Sequence, residues 1–421
     1  MKESLKVASQ PSIRSEPAWL NRNVVGMGLT SLLSDAGHEM ATAILPGFFA
    51  VLGIPAAALG VIEGVADAVS SFVKLGAGWA SDRLPNRKPL VIAGYTLTGL
   101  ATPLIALAQG WPLVLVARVV GWFGRGGRSA PRNALLAESV PPEARGRAFG
   151  FERAGDTTGA ILGPLLAVGL LAQFAADHPE PSTPFRWVFL LTVVPGLGAA
   201  LTFTALVRET RRTVSPPKPQ AAALGLPPRF RRFLWGVGAF GMGDFSHTLM
   251  ILAATQLLAP TRGQAGAAGI AGLLYVVHNV FYAASAYPVG ALSDRWSRSG
   301  LLTAGYVLGT ATALGLAAAF HWNLTSVVYL GLLFALGGVY VAMEEALEAV
   351  ITADLVGAER RGTAFGITGT VNGVGDFAAS ALVGALWTAL SPQLAFAAAA
   401  GLMLAGTVMI SRLRLGTRQV R

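Results

Sequence analysis

Long apolar stretches alternate with short polar loops along almost the whole chain, from about residue 23 to residue 411. A transmembrane α-helix needs about 20 consecutive apolar residues to cross the hydrocarbon core of a bilayer. A scan with a window of about that length predicts twelve such spans. They begin near Asn23, Pro55, Pro89, Trp111, Ala148, Trp187, Phe233, Ala267, Leu301, Thr325, Ala364 and Leu394. The pattern therefore predicts an all-α polytopic membrane protein.

The composition excludes a water-soluble globular protein. Of the 421 residues, 53% are hydrophobic and 13% are charged, whereas soluble domains carry about 25% charged residues. The chain has no cysteine, which excludes disulfides and thiolate metal sites. The formal net charge of +10 would suit a nucleic-acid-binding protein, but the basic residues lie in loops between apolar spans. We therefore expect the lipid bilayer, and no nucleic acid, as a partner.

The basic residues are distributed unevenly between the two sides of the membrane. The tails and the loops that follow even-numbered spans hold 24 Lys and Arg residues, whereas the loops on the other side hold Arg186 and Arg262. Lys and Arg accumulate in cytoplasmic loops. We therefore expect a multi-pass protein of the cytoplasmic (inner) membrane with cytoplasmic tails at 1–22 and 412–421.

The chain divides into two halves that repeat one another. A basic, proline-rich segment at 208–232 separates residues 23–207 from residues 233–411. Three matches occur in the same order and at nearly one spacing, as expected for duplicated transporter halves. The matches are GWASDR at 78–83 with GALSDR at 290–295, RGRAFG at 145–150 with RGTAFG at 361–366, and Asp35 and His38 with Asp244 and His247. The sequence thus predicts two pseudo-symmetric six-helix halves joined by a cytoplasmic linker.

These repeated residues resemble the major facilitator superfamily, and the resemblance extends over essentially the whole chain. The superfamily motif between spans 2 and 3 has the form Gly-x-x-x-Asp-Arg followed by basic residues. The corresponding residues are Gly78, Asp82, Arg83, Arg87 and Lys88, with a weaker copy at Gly290, Asp294, Arg295 and Arg298. The resemblance implies the major facilitator fold and a charge relay that opens and closes at the cytoplasmic mouth. The gating candidates in the motif are Gly78, Asp82, Arg83, Asp294 and Arg295.

Two further features of the first half resemble superfamily motifs. Gly155, Gly159 and Gly163, followed by Pro164, resemble the antiporter motif of exporters that exchange substrate for protons. The same spacing is common where membrane helices pack closely, so packing alone is the alternative interpretation. Arg118 in span 4 resembles the superfamily's intramembrane arginine, which is linked to proton coupling.

Ionisable residues inside the spans form a candidate binding site. Each costs at least about 2.5 kcal/mol in lipid, so each is expected to face a partner or a watered cavity. Asp35, His38 and Glu39 lie on one face of span 1 within a single turn. In the facilitator fold span 7 faces span 1, which would place Asp244 and His247 opposite this face. The candidates for binding substrate or protons are Asp35, His38, Glu39, Asp244, His247, Glu344 and Arg118.

Two of these acids and both histidines form a tentative metal site. Imidazole and carboxylate ligands suit borderline divalent ions such as Ni²⁺, Co²⁺, Zn²⁺ or Fe²⁺. The predicted ligands are Asp35, His38, Asp244 and His247. Residues 63–88 resemble a bacterial efflux branch of the superfamily, some of whose members export metals, and span 1 resembles ferroportin-type metal exporters in its Asp and His. Alternatively, each histidine hydrogen-bonds an acid on its own helix or relays a proton.

A second set of charges suggests a gate. When the halves are aligned, Arg128 matches Glu344 and Arg132 matches Glu348, so repeat mates carry opposite charges. In the outward-facing state these residues, with Glu345, would pair and close the cytoplasmic side. The alternative is fixed ion pairs within each half, since buried pairs are weak evidence of purpose. The gating candidates inside the spans are Arg128, Arg132, Glu348 and Asp156.

Together these residues predict a proton-coupled secondary active transporter that exports a small toxic solute by alternating access, with a divalent metal ion as one candidate substrate. One alternative is transport of a drug or an organic anion, with an arginine of span 4 as counter-charge. Another is a membrane scaffold or sensor that transports nothing. We expect no enzyme, because the glycine-rich strings lie in apolar helices and no nucleophile and base pair is apparent. We also expect no cofactor, and a monomer whose partners are protons, lipid and a small molecule or ion.

Overall fold

A computed structural model of the chain describes residues 19–141, 145–209, 226–293, 296–356 and 361–413. Within these ranges the chain forms thirteen α-helices and one 3-10 helix, Thr102–Leu107, and contains no strand. The first half holds α1 (Arg22–Leu52), α2 (Ala56–Arg83), α3 (Lys88–Ala101), α4 (Trp111–Glu138), α5 (Arg145–Asp177), α6 (Thr183–Leu191) and α7 (Val193–Leu206). The second half holds α8 (Pro228–Gly241), α9 (His247–Ser293), α10 (Arg298–His321), α11 (Val327–Leu355), α12 (Arg361–Ala389) and α13 (Pro392–Ser411).

These helices form the predicted all-α membrane bundle, so the fold class is confirmed. Eight helical segments among the described residues are long and apolar enough to cross a membrane. The polar residues Asp35, His38 and Glu39 lower the hydropathy of α1, and four arginines lower that of α4. Helix starts follow the predicted spans closely, because α4 begins at Trp111 and α1 begins one residue before the predicted Asn23.

Three predicted spans consist of two helical pieces. The 3-10 helix continues α3, and α6 continues into α7 at Thr192. Span 7 is interrupted in its middle, because α8 ends at Gly241 and α9 begins only at His247. The rest of α9 comprises the second piece of span 7 and all of span 8, which meet at Gly263 with a φ of 69°. That left-handed conformation is one that glycine adopts without strain.

The glycine ladder of α5 packs against α1. A Cβ atom on Gly159 would lie 2.4 Å from the carbonyl oxygen of Leu32, and one on Gly163 would lie 2.5 Å from that of Ala36. Real Cβ atoms do not approach this closely, so the helices can meet here only through glycine. The ladder therefore serves close packing in this structure, and its bearing on the direction of transport stays a prediction.

The two halves are packed together on the side of the bundle that lies opposite the chain ends. Near that side, the backbone N–H of Ala57 in α2 donates to Oγ1 of Thr388 in α12 at 3.0 Å. A Cβ atom on Gly60 would lie 2.1 Å from the carbonyl oxygen of Ser380. Both α1 and α5 also contact α9 across the same division. A cavity lies between the halves, deeper in the bundle than these contacts.

Candidate transport site

The cavity between the halves has a volume of about 260 Å³. Interfaces between repeated halves are where transporters bind their substrates. Its acidic lining residues are Glu63, Asp67, Asp244, Glu344, Glu345 and Asp376. Its other lining residues include Trp122, Phe245, Ser246, His247, Met250, His278, Tyr340, Asn372 and Met403. In the described part of the chain no Lys or Arg lines this cavity, so its wall is acidic and partly aromatic.

The break in span 7 places Asp244 at the cavity. The chain is not helical between α8 and α9, and Asp244 lies in this gap. Gly243 lets the gap approach α13, because a Cβ there would lie 2.4 Å from the carbonyl oxygen of Ala399. The backbone N–H of Ser246 donates to Oγ of Ser380 at 3.0 Å and so replaces a helical hydrogen bond. Non-helical backbone is tolerated at membrane depth where it lines a cavity, and it often forms transporter binding sites.

Asp244 and Glu344 form a carboxyl pair. The Asp244 carboxyl accepts a hydrogen bond from the Tyr340 hydroxyl at 2.8 Å. The side chains of Asp244 and Glu344 also lie within hydrogen-bonding reach of one another. Ionised carboxylates have no donor, so two carboxyl groups form a hydrogen bond only when one of them is protonated. The geometry therefore places two carboxyl groups on the cavity wall where they would stabilise a shared proton.

Glu348, one turn further along α11, is satisfied within its own half. Its carboxylate accepts hydrogen bonds from the Tyr306 hydroxyl at 2.6 Å and from the Asn372 side-chain amide at 2.7 Å. Its side chain is buried. Neutral donors thus compensate the burial of this acid, where an arginine would otherwise be expected.

Arginines compensate the acids of the first half. The carboxylate of Asp35 lies 3.1 Å from Arg125, and that of Glu152 lies 2.9 Å from Arg132. Asp35 also lies within hydrogen-bonding reach of Asp156 of α5, which the glycine ladder brings against α1. Neither of these two acids lines the cavity between the halves.

Arg118, predicted to bind substrate or protons, is bonded to Glu63 instead. Its Nε donates to one carboxylate oxygen of Glu63 at 3.1 Å, and its Nη2 donates to the other at 2.6 Å. The side chains are 4% and 2% exposed. Bidentate geometry is the strongest arrangement for such a pair. Arg118 therefore neutralises Glu63 in this conformation and would reach a substrate only if the pair opened.

The predicted metal site is not formed in this conformation. The predicted ligands were Asp35, His38, Asp244 and His247. Both acids have the protein partners described above, His38 meets the edge of Trp122 with ring centroids 5.2 Å apart, and His247 stacks on Tyr275 with centroids 4.9 Å apart. The described residues contain no group of three His, Asp or Glu side chains placed to hold a metal ion. The repeat in sequence did not become a repeat in geometry, because Asp244 lies in a break whereas Asp35 lies within a continuous helix.

Glu39 links the two halves. Its carboxylate accepts a hydrogen bond from the hydroxyl of Tyr275 in α9 at 2.9 Å. The ring of Tyr275 stacks on His247 and also lies 5.6 Å from His278 between centroids. The polar face predicted for span 1 therefore does meet the second half, although through a tyrosine of span 8.

The predicted pairs between Arg128 or Arg132 and the acids of α11 are absent in this conformation. Arg128 donates to Oγ1 of Thr98 at 2.9 Å and to Oγ of Ser34 at 2.7 Å. Arg132 binds Glu152, and Glu348 binds donors of its own half. Fixed partners within each half, the alternative interpretation, thus describe this conformation. The gate was predicted for the outward-facing state, and for that state it stays a prediction.

A different ion pair crosses between the halves. Arg153 of α5 lies 3.4 Å from Glu345 of α11, which also accepts a hydrogen bond from the Tyr282 hydroxyl. Arg153 also lies 3.7 Å from Asp156, one turn further along its helix. Asp156 therefore connects the buried Asp35 contact of the first half with the pair between the halves.

The loop motif between spans 2 and 3 is described only in part. Gly78, Asp82 and Arg83 belong to the last turns of α2, but their side-chain surroundings lie outside the described structure. The weaker copy at Asp294 and Arg295 also lies outside the described residues. The gating role of all five residues stays a prediction. Residues 210–225 of the predicted linker also lie outside the described residues, so the linker stays a prediction as well.

The basic end of this motif is held by two acids that the sequence analysis did not identify. Arg87 lies 2.7 Å from Glu138 at the end of α4. The backbone N–H groups of Arg87 and Lys88 both donate to the carboxylate of Glu209 at 2.8 Å, and Lys88 Nζ donates to the carbonyl oxygen of Val207 at 2.6 Å. Glu209 thus satisfies free N–H groups at the start of α3. These contacts hold the start of α3 against the ends of α4 and α7.

Sequence reasoning also missed four tyrosines that donate to acids. They are Tyr275 to Glu39, Tyr282 to Glu345, Tyr306 to Glu348 and Tyr340 to Asp244. A tyrosine in an apolar span gives no hydropathy signal of such a role. One signal was present in the repeat, because Tyr95 and Tyr306 occupy matching positions in spans 3 and 9. Tyr95 indeed lies under a charged group, with the Arg128 guanidinium 4.1 Å from its ring centroid.

Comparison with known proteins gives consistent results. The chain matches the Major Facilitator Superfamily over residues 27–374 and 234–420. An uncharacterized MFS-type transporter of Methanocaldococcus jannaschii is 29% identical over 377 residues, which cover 90% of this chain and 91% of that protein. A probable 4-methylmuconolactone transporter of Cupriavidus pinatubonensis is 32% identical over 167 residues, 39% of this chain and 37% of that one. The crystal structure of a bacterial homolog of the human lysosomal transporter Spinster, inward-facing and unoccupied, superposes with a TM-score of 0.70 at 15% identity and covers 94% of this chain and 95% of its own.

Proposed function

Because the chain belongs to the Major Facilitator Superfamily, we propose that it is a proton-coupled secondary active transporter that exports a small solute by alternating access. The observation that carries this proposal is the carboxyl pair of Asp244 and Glu344. The pair lines the cavity between the halves, stands at the break in span 7 and forms an internal hydrogen bond when it carries one proton. These are the features that a site shared by a proton and a solute needs.

Coupling follows from the cost of burying charge. If both acids of the pair are ionised, closing the cavity around them leaves like charges together in a medium of low dielectric, at a cost of several kcal/mol. A proton on the pair removes this cost, and so does a solute that compensates the charge. The halves therefore rock when either one occupies the site, and proton and solute exchange across the membrane.

We assign the exchangeable proton to the second half because the first half is already compensated. The buried Arg118–Glu63 pair and the Arg132–Glu152 pair are neutral overall and need no proton. The Asp35–Asp156 contact lies away from the cavity wall, and Arg125 compensates Asp35. Asp156 also contacts Arg153, so protonation of Asp156 would affect the contact between the halves.

We propose a small organic solute as the cargo in preference to a divalent metal ion. Two findings support this choice, namely the absence of a metal-holding group among the described residues and the likeness of part of the chain to a probable 4-methylmuconolactone transporter. Export is supported by the resemblance of the glycine ladder to the antiporter motif. The excess of Lys and Arg on one side supports cytoplasmic termini.

Liposomes with an acidic lumen test the proposal. The purified protein is reconstituted with a pH-sensitive dye in the lumen, and benzyltrimethylammonium, phenylmethanesulfonate or Ni²⁺ is added outside. Antiport of a solute for protons raises the lumenal pH. We expect at least one solute to do so, and the double variant Asp244→Asn, Glu344→Gln to slow the initial rate by at least about tenfold. Asp177→Asn, which removes an exposed acid at the end of α5, is the matched control and should transport like the wild type.

Two results would count against the proposed function. A wild-type protein that changes the lumenal pH with none of the three solutes would favour the scaffold or sensor. A double variant that matches the wild-type rate would remove the carboxyl pair from the mechanism.

A further inference from the structure

Asp67 and Asp376 bring one carboxyl group from each half to the same cavity. Asp67 belongs to α2 and Asp376 to α12, the two helices that pack together across the division between the halves. The acids are within electrostatic range of one another. Neither forms a hydrogen bond or an ion pair with another residue of the described structure. Both differ in this respect from Glu63, Asp244, and Glu345 on the same wall.

The cations nearby do not compensate both acids. Lys74, Arg118 and Arg125 act on Asp67 electrostatically. The two arginines are bonded to other acids of the first half. Lys74 is exposed, and its one positive charge acts on both Asp67 and Asp376. Neither Asp67 nor Asp376 therefore has a cation of its own, and the ionised form of either acid attracts a cationic cargo and disfavours an anionic one.

The rest of the wall suits a large, weakly hydrated cation. Trp122 and Phe245 present aromatic rings, and Met250 and Met403 present polarizable thioethers. Nε1 of Trp122 and Nδ1 of His278 are buried and form no hydrogen bond of normal geometry within the described residues. His278 is only 6% exposed. Buried polar atoms without partners are expected where a ligand completes the site.

We propose that the cargo is an organic cation with an apolar body, whose charged group lies between Asp67 and Asp376 and whose body rests on Trp122 and Phe245. This inference rests on the proposed function and names its substrate class. A cavity of about 260 Å³ admits such a molecule and far exceeds the size of a single metal ion. Because one acid comes from each half, the bound cation holds the halves together, and its release frees them to separate.

Binding of benzyltrimethylammonium to the purified protein tests the inference. This probe has a permanent charge and one aromatic ring, so a change of pH alters only the protein. We expect calorimetric titration at pH 8 to detect binding, and Asp67→Asn or Asp376→Asn to weaken it by at least about tenfold each. Asp376→Glu keeps the charge and should retain affinity within about threefold of the wild type. Asp177→Asn is the control for a lost acid outside the cavity, and phenylmethanesulfonate, which carries the same ring and the opposite charge, should not bind.

Three outcomes would overturn the assignment. They are tighter binding of the sulfonate than of the ammonium probe, no binding of the ammonium probe to the wild type, and equal binding by the wild type and both Asn variants. If an Asn variant fails to fold, as judged by gel filtration and circular dichroism, the comparison of Asp376→Glu with Trp122→Ala decides. The proposal then requires that Asp376→Glu binds the ammonium probe like the wild type and that Trp122→Ala binds it more weakly.

The liposome assay separates this inference from the proposed function. If Ni²⁺ or the sulfonate raises the lumenal pH through Asp244 and Glu344, the transporter stands and the cation assignment fails. If benzyltrimethylammonium binds through Asp376 but never raises the lumenal pH, the binding site stands and proton coupling fails.

Discussion

Matching positions in the two halves carry opposite charges and are compensated by different chemistry. Arg132 lies 2.9 Å from Glu152 in the first half. Its repeat mate Glu348 instead accepts hydrogen bonds from Tyr306 and Asn372. The arginines thus compensate the acids that they contact in the first half with permanent positive charges, because guanidinium groups do not lose their protons. The acids of the second half depend on neutral donors, protons or cargo.

The buried Arg118–Glu63 pair gives a prediction at the scale of single residues. Glu63→Gln leaves the Arg118 charge buried without compensation, and we expect it to destabilise the protein by about 3 to 5 kcal/mol. The double variant Glu63→Met, Arg118→Met removes both charges and should cost much less. The measurement is the thermal unfolding midpoint in detergent. Equal midpoints for the single and double variants would mean that the pair carries little electrostatic energy.

The sequence predicted which charged residues lie inside the membrane better than it predicted their partners. Lipid makes an unpaired charge so costly that Asp35, Glu63 and Arg118 had to face partners. Which partner each one meets depends on helix rotation and on donors such as Tyr340, which hydropathy does not distinguish from apolar side chains. The metal hypothesis assumed that Asp244 keeps the helical geometry of Asp35, and because Asp244 lies in a break, that site stays a prediction.

At the scale of helices, backbone contact between α1 and α5 determines where several acids lie. The glycine ladder removes side chains from the contact, so α5 approaches closely enough for Asp156 to lie beside Asp35 and for Glu152 to accept a hydrogen bond from Ser31. The packing of two helices therefore prepares a network of polar residues. A substitution that separates the helices should disturb both stability and this network.

Two glycines of α5 make a matched test of that packing. Gly159→Ala places a Cβ 2.4 Å from the carbonyl oxygen of Leu32, and we expect a loss of about 1 to 3 kcal/mol in stability. At Gly169, in the same helix, a Cβ meets nothing within 4 Å. Gly169→Ala should be neutral or stabilising by up to about 1 kcal/mol because alanine favours helix. Thermal unfolding of both variants decides, and a Gly159→Ala protein as stable as Gly169→Ala would contradict the packing described.

The membrane-spanning stretches of the chain could be predicted, but the division of three of them into two helical pieces, above all the interruption of span 7, could not. Hydropathy averages over a window and therefore registers the apolar content of this span without its backbone path. A local signal exists, because Gly241 and Gly243 flank the site where the helix ends just before Asp244. Glycine weakens helix by about 1 kcal/mol, yet many glycines in this chain lie within unbroken helices. Tertiary contacts with α12 and α13 select this one position.

At the scale of the whole molecule, the halves meet through packed backbone on one side and through polar contacts deeper in. Deeper than the Ala57–Thr388 hydrogen bond on the packed side, the Arg153–Glu345 pair and the Tyr275–Glu39 hydrogen bond also cross between the halves. Rocking of the halves must break or rearrange them. The packed side and the polar contacts therefore contribute differently to the conformational equilibrium.

The crossing ion pair predicts a shift in the populations of the two conformations. Arg153 and Glu345 are 62% and 55% exposed, and exposed pairs contribute about 0 to 1 kcal/mol. Arg153→Gln should thus shift the equilibrium away from this conformation by about fivefold or less. The charge swap Arg153→Glu, Glu345→Arg should restore it.

Distances between two spin labels measure that shift. The chain has no cysteine, so labels can be attached at Leu84→Cys and Trp296→Cys, which are exposed positions in the first and second halves. Because opening of the packed side closes the chain-end side, where both labels lie, a shorter mean distance in Arg153→Gln, reversed by the swap, is the expected result. An unchanged distribution would mean that backbone packing alone determines the conformation.

In the proposed mechanism, a single proton shared by Asp244 and Glu344 determines how much work the membrane can do on a singly charged cargo. When one proton enters for each such ion that leaves, no net charge moves, so the voltage across the membrane contributes nothing. The driving force is then the pH difference, about 1.4 kcal/mol per pH unit. Each unit sustains about a tenfold concentration ratio of cargo across the membrane. Collapsing the voltage with potassium and an ionophore should leave the steady-state ratio unaltered.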